Sequence, residues 1–444
     1  MSRGDDRVRR ALGVGTGIII GGQVSGMAQY RLPNIRFSTT ITGLAPSGCA
    51  MGEAGVRASS LSRGLVGTGH RSSGLWKRTI LCRRAYTTLK HRAHGVRPKS
   101  AKLKPLIELR SSGLYCPLGG FYVDPWEPVE RAVITHAHAD HARRGSQSYL
   151  SSPTCEPILK VRLGAEANIQ PVAYGEQLRI GEVTVSLHPA GHILGSAQIK
   201  IERQGYSWVV SGDYKTDPDP TCEAFTPVRC NGFVTEATFA LPIYRWAPSQ
   251  DTFAEINAWW TSNAAANRAS VLYGYSLGKA QRLIAGVDPS IGPIYTHGAV
   301  QRLNDVYRQA GVSLPPTTNA LVAQKKNFGG ALVIAPPGMN GSNWVRRFGD
   351  FSTALASGWM QVRGHRRRRA VDRGFTLSDH ADWNGLLWAI RESQAEEVWV
   401  THGSIDPLVR WLTEHGLDAK GLVTQFQGEE EATPEESPDL QVEE

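Results

Sequence analysis

Residues 131–141 read Arg-Ala-Val-Ile-Thr-His-Ala-His-Ala-Asp-His, a short apolar run followed at once by four metal-competent side chains: His136, His138, Asp140 and His141. A solvated surface turn would carry Lys and Glu rather than three imidazoles, so the run marks a metal site. Two residues apart in an extended segment, His136 and His138 point the same way and grip one ion, while Asp140 and His141 turn toward a second. The expected layout is binuclear. A catalytic ion needs further protein ligands and one open position, and two residues behind later apolar runs offer themselves. One is His192 in Pro-Ala-Gly-His-Ile-Leu-Gly-Ser (189–196). The other is Asp213 in Val-Ser-Gly-Asp-Tyr (210–214), a carboxylate suited to bridging two ions. Taken singly, a His or Asp beside Gly is as often an ordinary turn residue.

Around this run the chain alternates short apolar stretches with polar turns. Segments 132–135, 183–187, 208–210, 233–235, 271–273, 331–334 and 398–400 read as buried strands. Segments 279–284, 300–309, 383–392 and 407–415 place apolar residues at helical spacing. Repeated strand, turn and helix units predict a layered α/β architecture, with the chemistry gathered where strands end.

Composition narrows the classes. The chain has 444 residues, enough for two or three domains, and its longest apolar run falls far short of the roughly 20 residues of a membrane span, so no membrane association is expected. Its formal charge of +9 is uneven: residues 1–104 hold 19 Lys/Arg against 3 Asp/Glu, residues 105–428 hold 30 against 29, and residues 429–444 hold none against 8. Basicity therefore belongs to an N-terminal extension, and nucleic-acid binding by the body must rest on local clusters. Rich in Gly, Ser and Arg, residues 1–104 read as a disordered extension, with an organellar leader or a start further down the chain as the other readings. Residues 429–444 read as an acidic, solvated tail. The six cysteines are scattered without a CxxC pair, which disfavours both a disulfide framework and a thiolate zinc site, and a cytoplasmic setting is expected.

Asp124 in Gly-Phe-Tyr-Val-Asp-Pro-Trp (120–126), the HxHxDH run, His192 and Asp213 resemble, in this order, the successive motifs of the metallo-β-lactamase fold. That resemblance implies a four-layer αββα fold. Glu236 in 234–239, His380 in Leu-Ser-Asp-His-Ala-Asp (377–382) and His402 in Val-Thr-His-Gly (400–403) resemble the additional motifs of the β-CASP nucleic-acid hydrolases. By this resemblance residues 105–239 form the first part of the hydrolase domain, 240–372 an inserted β-CASP-like α/β domain, and 373–428 the returning segment. The same resemblance implies two zinc ions, with manganese as the alternative. His136, His138, His192 and Asp213 would hold one, and Asp140, His141, His402 and bridging Asp213 the other. Asp124 and Glu236 would orient ligand imidazoles through their ring N–H groups, and His380 would stand near the scissile phosphate. Cations about 3.5 to 4 Å apart would supply a nucleophilic water and neutralise the attacking and leaving oxygens.

More narrowly, segments 106–126, 235–242, 275–281 and 366–383 resemble the bacterial ligase-associated DNA exonuclease family, which implies action on DNA ends in repair, with an ATP-dependent DNA ligase and a helicase as partners. The long extension departs from that family. Candidate phosphate contacts are Arg366, Arg367, Arg368 and Arg369, just upstream of His380, and Ser276 with Lys279, where a helix opens behind an apolar run. A charge run is often only a solvated face, and a helix start without a full P-loop pattern is a weak signal. Three other readings compete: a β-CASP-type ribonuclease in RNA processing, a small-molecule thioesterase or lactamase, and a non-catalytic scaffold. The insertion and the arginine run count against the second, and the complete ligand set counts against the third.

Overall fold

The computed structural model describes residues 105–323, 328–363 and 370–425; the basic extension, the run Arg366–Arg369 and the acidic tail lie outside the described residues. Three sheets organise it. The first takes six strands in chain order: β1 (Glu108–Arg110), β2 (Gly113–Cys116), β3 (Phe121–Val123), β4 (Arg131–Val133), β5 (Ser148–Ser151) and β6 (Ile169–Pro171). The second contains β7 (Leu178–Ile180), β8 (Val183–Pro189), β9 (Ala197–Arg203), β10 (Tyr206–Val210) and β11 (Gly232–Ala237), followed by strands contributed much later, β18 (Glu397–Gly403) and β19 (Asp418–Gly421). β10, β11, β18 and β19 are mutually parallel, so their carboxyl ends emerge together.

These two sheets pack face to face. Leu114, Phe121, Val133 and Leu150 of the first meet Val185, Ile199, Trp208 and Val234 of the second in one buried cluster. Period-2 alternation sends the remaining strand residues outward, where helices cover them. α1 (Glu156–Leu163) lays Ile158 and Leu159 against the outer side of the first sheet beside Ala132 and Tyr149. Two late helices, α5 (Trp383–Ser393) and α6 (Ile405–Glu414), bury Leu386, Ile390, Leu408 and Leu412 against Val209, Phe233, Val398 and Val400 of the second. The result is a helix–sheet–sheet–helix stack, an α/β fold of four layers.

Between β11 and β18 the chain builds a third, all-parallel sheet from β12 (Ala269–Tyr273), β13 (Ile294–Thr296), β14 (Thr318–Asn319), β15 (Leu332–Ala335), β16 (Phe351–Ala356) and β17 (Arg373–Phe375), in the order β14-β13-β15-β12-β16-β17. β12 and β15 are buried throughout, as parallel strands covered on both faces must be. One face meets α2 (Ser249–Ala265), α3 (Lys279–Gly286) and the start of α4 (Gly298–Gln309) through Ile256, Trp260, Leu283, Ile284 and Val300. Of the helices expected from spacing, all four are present; α1 and α2 are additional.

Among the described residues no helix is long and apolar enough to cross a membrane. Cys116, Cys155, Cys222 and Cys230 are free thiols.

Candidate metal centre

Each candidate side chain sits at or just past the carboxyl end of a strand. β4 runs into His136–His141, β8 into Gly191-His192, and β10 into Gly212-Asp213; Glu236 and His402 lie in the last turns of β11 and β18, and β17 leads to Asp379-His380. Local backbone conformation aims them. Asp124 takes a left-handed φ of 45°, which carries its carboxylate beneath the histidine-bearing loop. There it accepts the Thr135 amide at 2.7 Å, the Thr135 hydroxyl at 2.5 Å and His141 Nδ1–H at 2.7 Å. Gly212, φ 58°, passes so close to Thr135 that a Cβ would stand 2.6 Å from that side chain. No larger residue fits without moving this support.

Among the described residues four overlapping donor groups form, three of them containing Asp213; two of these gather the expected ligands. In the first, His136 Nε2 and His192 Nε2 each stand 3.1 Å from His138 Nδ1, and Asp213 Oδ2 lies 3.5 and 3.8 Å from His136 and His192. In the second, Asp140 Oδ2 and Asp213 Oδ1 each lie 3.6 Å from His141 Nε2, and His402 Nε2 is 2.9 Å from Asp213 Oδ1. Outer contacts decide which nitrogen faces inward. His138 Nε2 addresses the Leu277 carbonyl at 3.2 Å and His192 Nδ1 the Asp379 carbonyl at 2.7 Å; His141 and His402 turn Nδ1 to Asp124 and to the Thr401 hydroxyl.

This set fits divalent cations. Four donors held tetrahedrally at 2.0 to 2.1 Å from one ion stand roughly 3.3 to 3.4 Å apart, close to the spacings in the first cluster. Converging imidazole lone pairs repel unless a cation lies between them. Burial and neighbouring imidazoles hold His136 and His192 well below the usual histidine range, and burial also lowers His138, so all three present neutral donors. His141 behaves oppositely. Burial disfavours its charge, but Asp140, Asp213 and Asp124 outweigh that and push it up to about 10, a sign of concentrated negative charge that a cation at this position would neutralise. Asp213, though buried, stays well below the carboxylate range because His141 and His402 face it.

His380 is buried beside the first cluster, its ring centroid 4.6 Å from that of His192. Both oxygens of Glu236 approach its Nδ1 at 2.9 Å, and Trp246 donates its indole N–H to the His380 carbonyl at 2.9 Å. Glu236 thus serves His380 rather than any imidazole of the two clusters, whereas Asp124 addresses His141. Only His138 and Asp140 in the two clusters are partly open to solvent, which sets the direction of approach.

The phosphate contact expected of Lys279 is not available in the structure. Lys279 is fully buried, its ammonium 3.0 Å from Asp379 Oδ2 and 2.9 Å from the Leu377 carbonyl, so it reaches no phosphate at the surface. Ser276 is half-buried at the same turn, where the Gln281 side chain closes back on the Gly278 amide at 2.8 Å. Sequence reasoning missed Arg162 and Arg302. They flank a cleft floored by Ile158, Leu277 and Leu303 that carries no carboxylate. Arg162 also donates to the Ala137 carbonyl at 2.6 Å, bracing the turn between His136 and His138. Arginines on separate helices leave no local signal of their meeting.

No family model matches the chain. It is 33% identical over 312 residues to a protein named probable DNA ligase of Opitutus terrae, an alignment covering 70% of this chain and 30% of that relative. It is 26% identical over 163 residues to the endoribonuclease YSH1 of Gibberella zeae, covering 36% of this chain and 19% of the relative. To the ribonuclease TTHA0252 of Thermus thermophilus it is 25% identical over 205 residues, covering 40% and 45%. The chain spans less than half the length of each of these relatives.

Proposed function

We propose that the chain is a metal-dependent nuclease of the metallo-β-lactamase and β-CASP type that hydrolyses phosphodiester bonds at DNA ends. The observation that carries this reading is the pair of buried His/Asp clusters joined through Asp213, with the His380–Glu236 pair beside them. Likeness to two proteins named ribonucleases supports nuclease chemistry, and likeness to one named a DNA ligase favours DNA and a ligase as partner; a helicase is a further partner in our reading. The domain reading goes with it, residues 105–239 and 373–428 as the hydrolase body and 240–372 as the inserted unit, with β17 (Arg373–Phe375) moved to the inserted unit because it pairs with β16 in the third sheet.

His136, His138, His192 and Asp213 would hold one cation, zinc in our reading and manganese as the alternative; Asp140, His141, His402 and Asp213 would hold the other. Bound there, the cations would supply a nucleophilic water at neutral pH and neutralise charge on the phosphate. The residues do the rest. Glu236, on His380 Nδ1, keeps that ring oriented, so that His380 can donate a proton to the departing sugar oxygen or hydrogen-bond the phosphate. Asp124 orients His141. Arg302, which lines a cleft beside Leu277 together with Arg162, would offer its guanidinium to a neighbouring phosphate; Arg366–Arg369, outside the described residues, are further candidates.

End-labelled DNA and RNA strands, single and duplex, incubated with wild type and Asp140→Ala, test this. Stepwise shortening of DNA by wild type, with loss of at least 100-fold in the variant at unchanged thermal stability, is the expected outcome. Undiminished cleavage by the variant would sink the reading. The ribonuclease names favour one second reading, RNA cleavage, which degradation of the RNA strands alone would select.

A further inference from the structure

Two of the three imidazoles in the first cluster are oriented by backbone carbonyls anchored at the start of one short helix that carries no donor atom of that cluster. His138 points Nε2 to the carbonyl of Leu277, two residues before α3. His192 points Nδ1 to the carbonyl of Asp379. That peptide is pinned to the same helix: Lys279, the first residue of α3, reaches the Asp379 carboxylate at 3.0 Å, and Arg282, one turn on, reaches it at 3.1 Å. Lys279 also donates to the Leu377 carbonyl and Arg282 to the Ser378 carbonyl. On its far side Arg282 contacts Asp219 at 3.1 Å, and Asp219 contacts Lys215 at 2.8 Å. All five charged side chains are buried.

An imidazole that gives one nitrogen to a cation carries its proton on the other, and the acceptor of that proton fixes both tautomer and ring orientation. The second cluster takes its orientation elsewhere, from Asp124 and Thr401. We infer that α3, through the Leu277 carbonyl and the Lys279–Asp379–Arg282 ion pairs, is the positioning element of the first cation position and not of the second. The inference rests on the metal reading above. Lys279, Arg282 and Asp379 act through His192 and are positioning residues; none touches the reacting atoms. The unit built on the third sheet thereby sets the cation affinity of a centre to which it gives no ligand.

The test uses the full-length chain stripped of metal and titrated with Co²⁺, with ions counted and the absorption bands of the two positions followed separately. Wild type should bind two ions. Lys279→Met should weaken the first position by about 10- to 100-fold and leave the second unchanged, and Lys279→Arg should restore most of the loss. Equal weakening of both positions, or none, in a folded Lys279→Met would overturn the inference. Removing one partner of a buried ion pair sometimes prevents folding, so a second measurement uses the wild type. In ¹⁵N-histidine spectra of the metal-free protein, His138 should be the Nε2–H tautomer and His192 the Nδ1–H tautomer; the reverse at either residue would overturn it. Wild type that binds no cation at saturating Co²⁺ would instead overturn the metal reading itself.

Discussion

At the scale of single residues, the centre depends on atoms that come too close for substitution. A methyl group at Gly212 would meet the Thr135 side chain at 2.6 Å, in a backbone conformation that L-residues avoid, and Thr135 is what positions Asp124 beneath His141. Gly212→Ala should therefore cost about 1 to 3 kcal/mol in urea unfolding, from strain and overpacking together. An unchanged urea midpoint would mean that Thr135 yields freely. This scale also marks where the sequence was readable. The His136–His141 run was legible because its donors are contiguous and follow a strand. His192, Asp213 and His402 are isolated, and only their order behind the run distinguished them from turn residues. The Leu277 and Asp379 carbonyls that orient two imidazoles were invisible, since every residue has a backbone carbonyl and no side-chain signature reports its use.

At the scale of elements, α3 shows how a local signal misleads. A lysine at a helix start behind an apolar strand is the pattern of a phosphate site, and that reading failed because its partner Asp379 lies in the loop after β17, where no nearby sequence announces it. α2 gives a weak periodic signal although Ile256, Trp259 and Trp260 lie on its buried side, because polar Thr252 and Asn263 share that side. The buried ion pairs make an acid-sensitive joint. Burial opposes ionisation of Asp219 and Asp379, but Lys215, Lys279 and Arg282 prevail and lower both carboxyls below the usual range. Depressed folded-state values contribute stability above the unfolded carboxyl value of about 4, and that stability is lost as pH falls through the folded values. The melting temperature should hold from pH 6 to about pH 4 and fall steeply below. Asp219→Asn should lose about 3 to 5 kcal/mol at pH 6, because it leaves Lys215 short of a buried partner, and should show a shallower further decline in acid.

At the scale of the whole molecule, layered α/β architecture was legible from alternation alone, while the contacts between layers were not. The body holds nearly equal numbers of acidic and basic residues, so any hold on nucleic acid depends on where the cations gather. Arg302 tests this cleanly, being exposed on α4 and outside both donor clusters. Arg302→Ala should weaken oligonucleotide binding several-fold, measured by anisotropy on metal-free protein. It should also reduce the slope of log affinity against log salt by about one. An unaltered slope would remove this cleft from the strand's path.

The pairing of β11 with β18 imposes an order in time. Residues 232–237 pair early with β10 on one side, but find their second parallel neighbour only when residues 397–403 arrive, after the entire third sheet has been synthesised. Until then β11 has an open edge and Asp213 lacks His402. At the pace of translation, about 5 to 20 residues per second, the growing chain spends roughly ten to thirty seconds with all donors of one cluster synthesised and the other lacking His402. Any activity that needs both would begin only when the strand carrying His402 closes the sheet, so a prematurely released fragment would be harmless to the polynucleotide that encodes it.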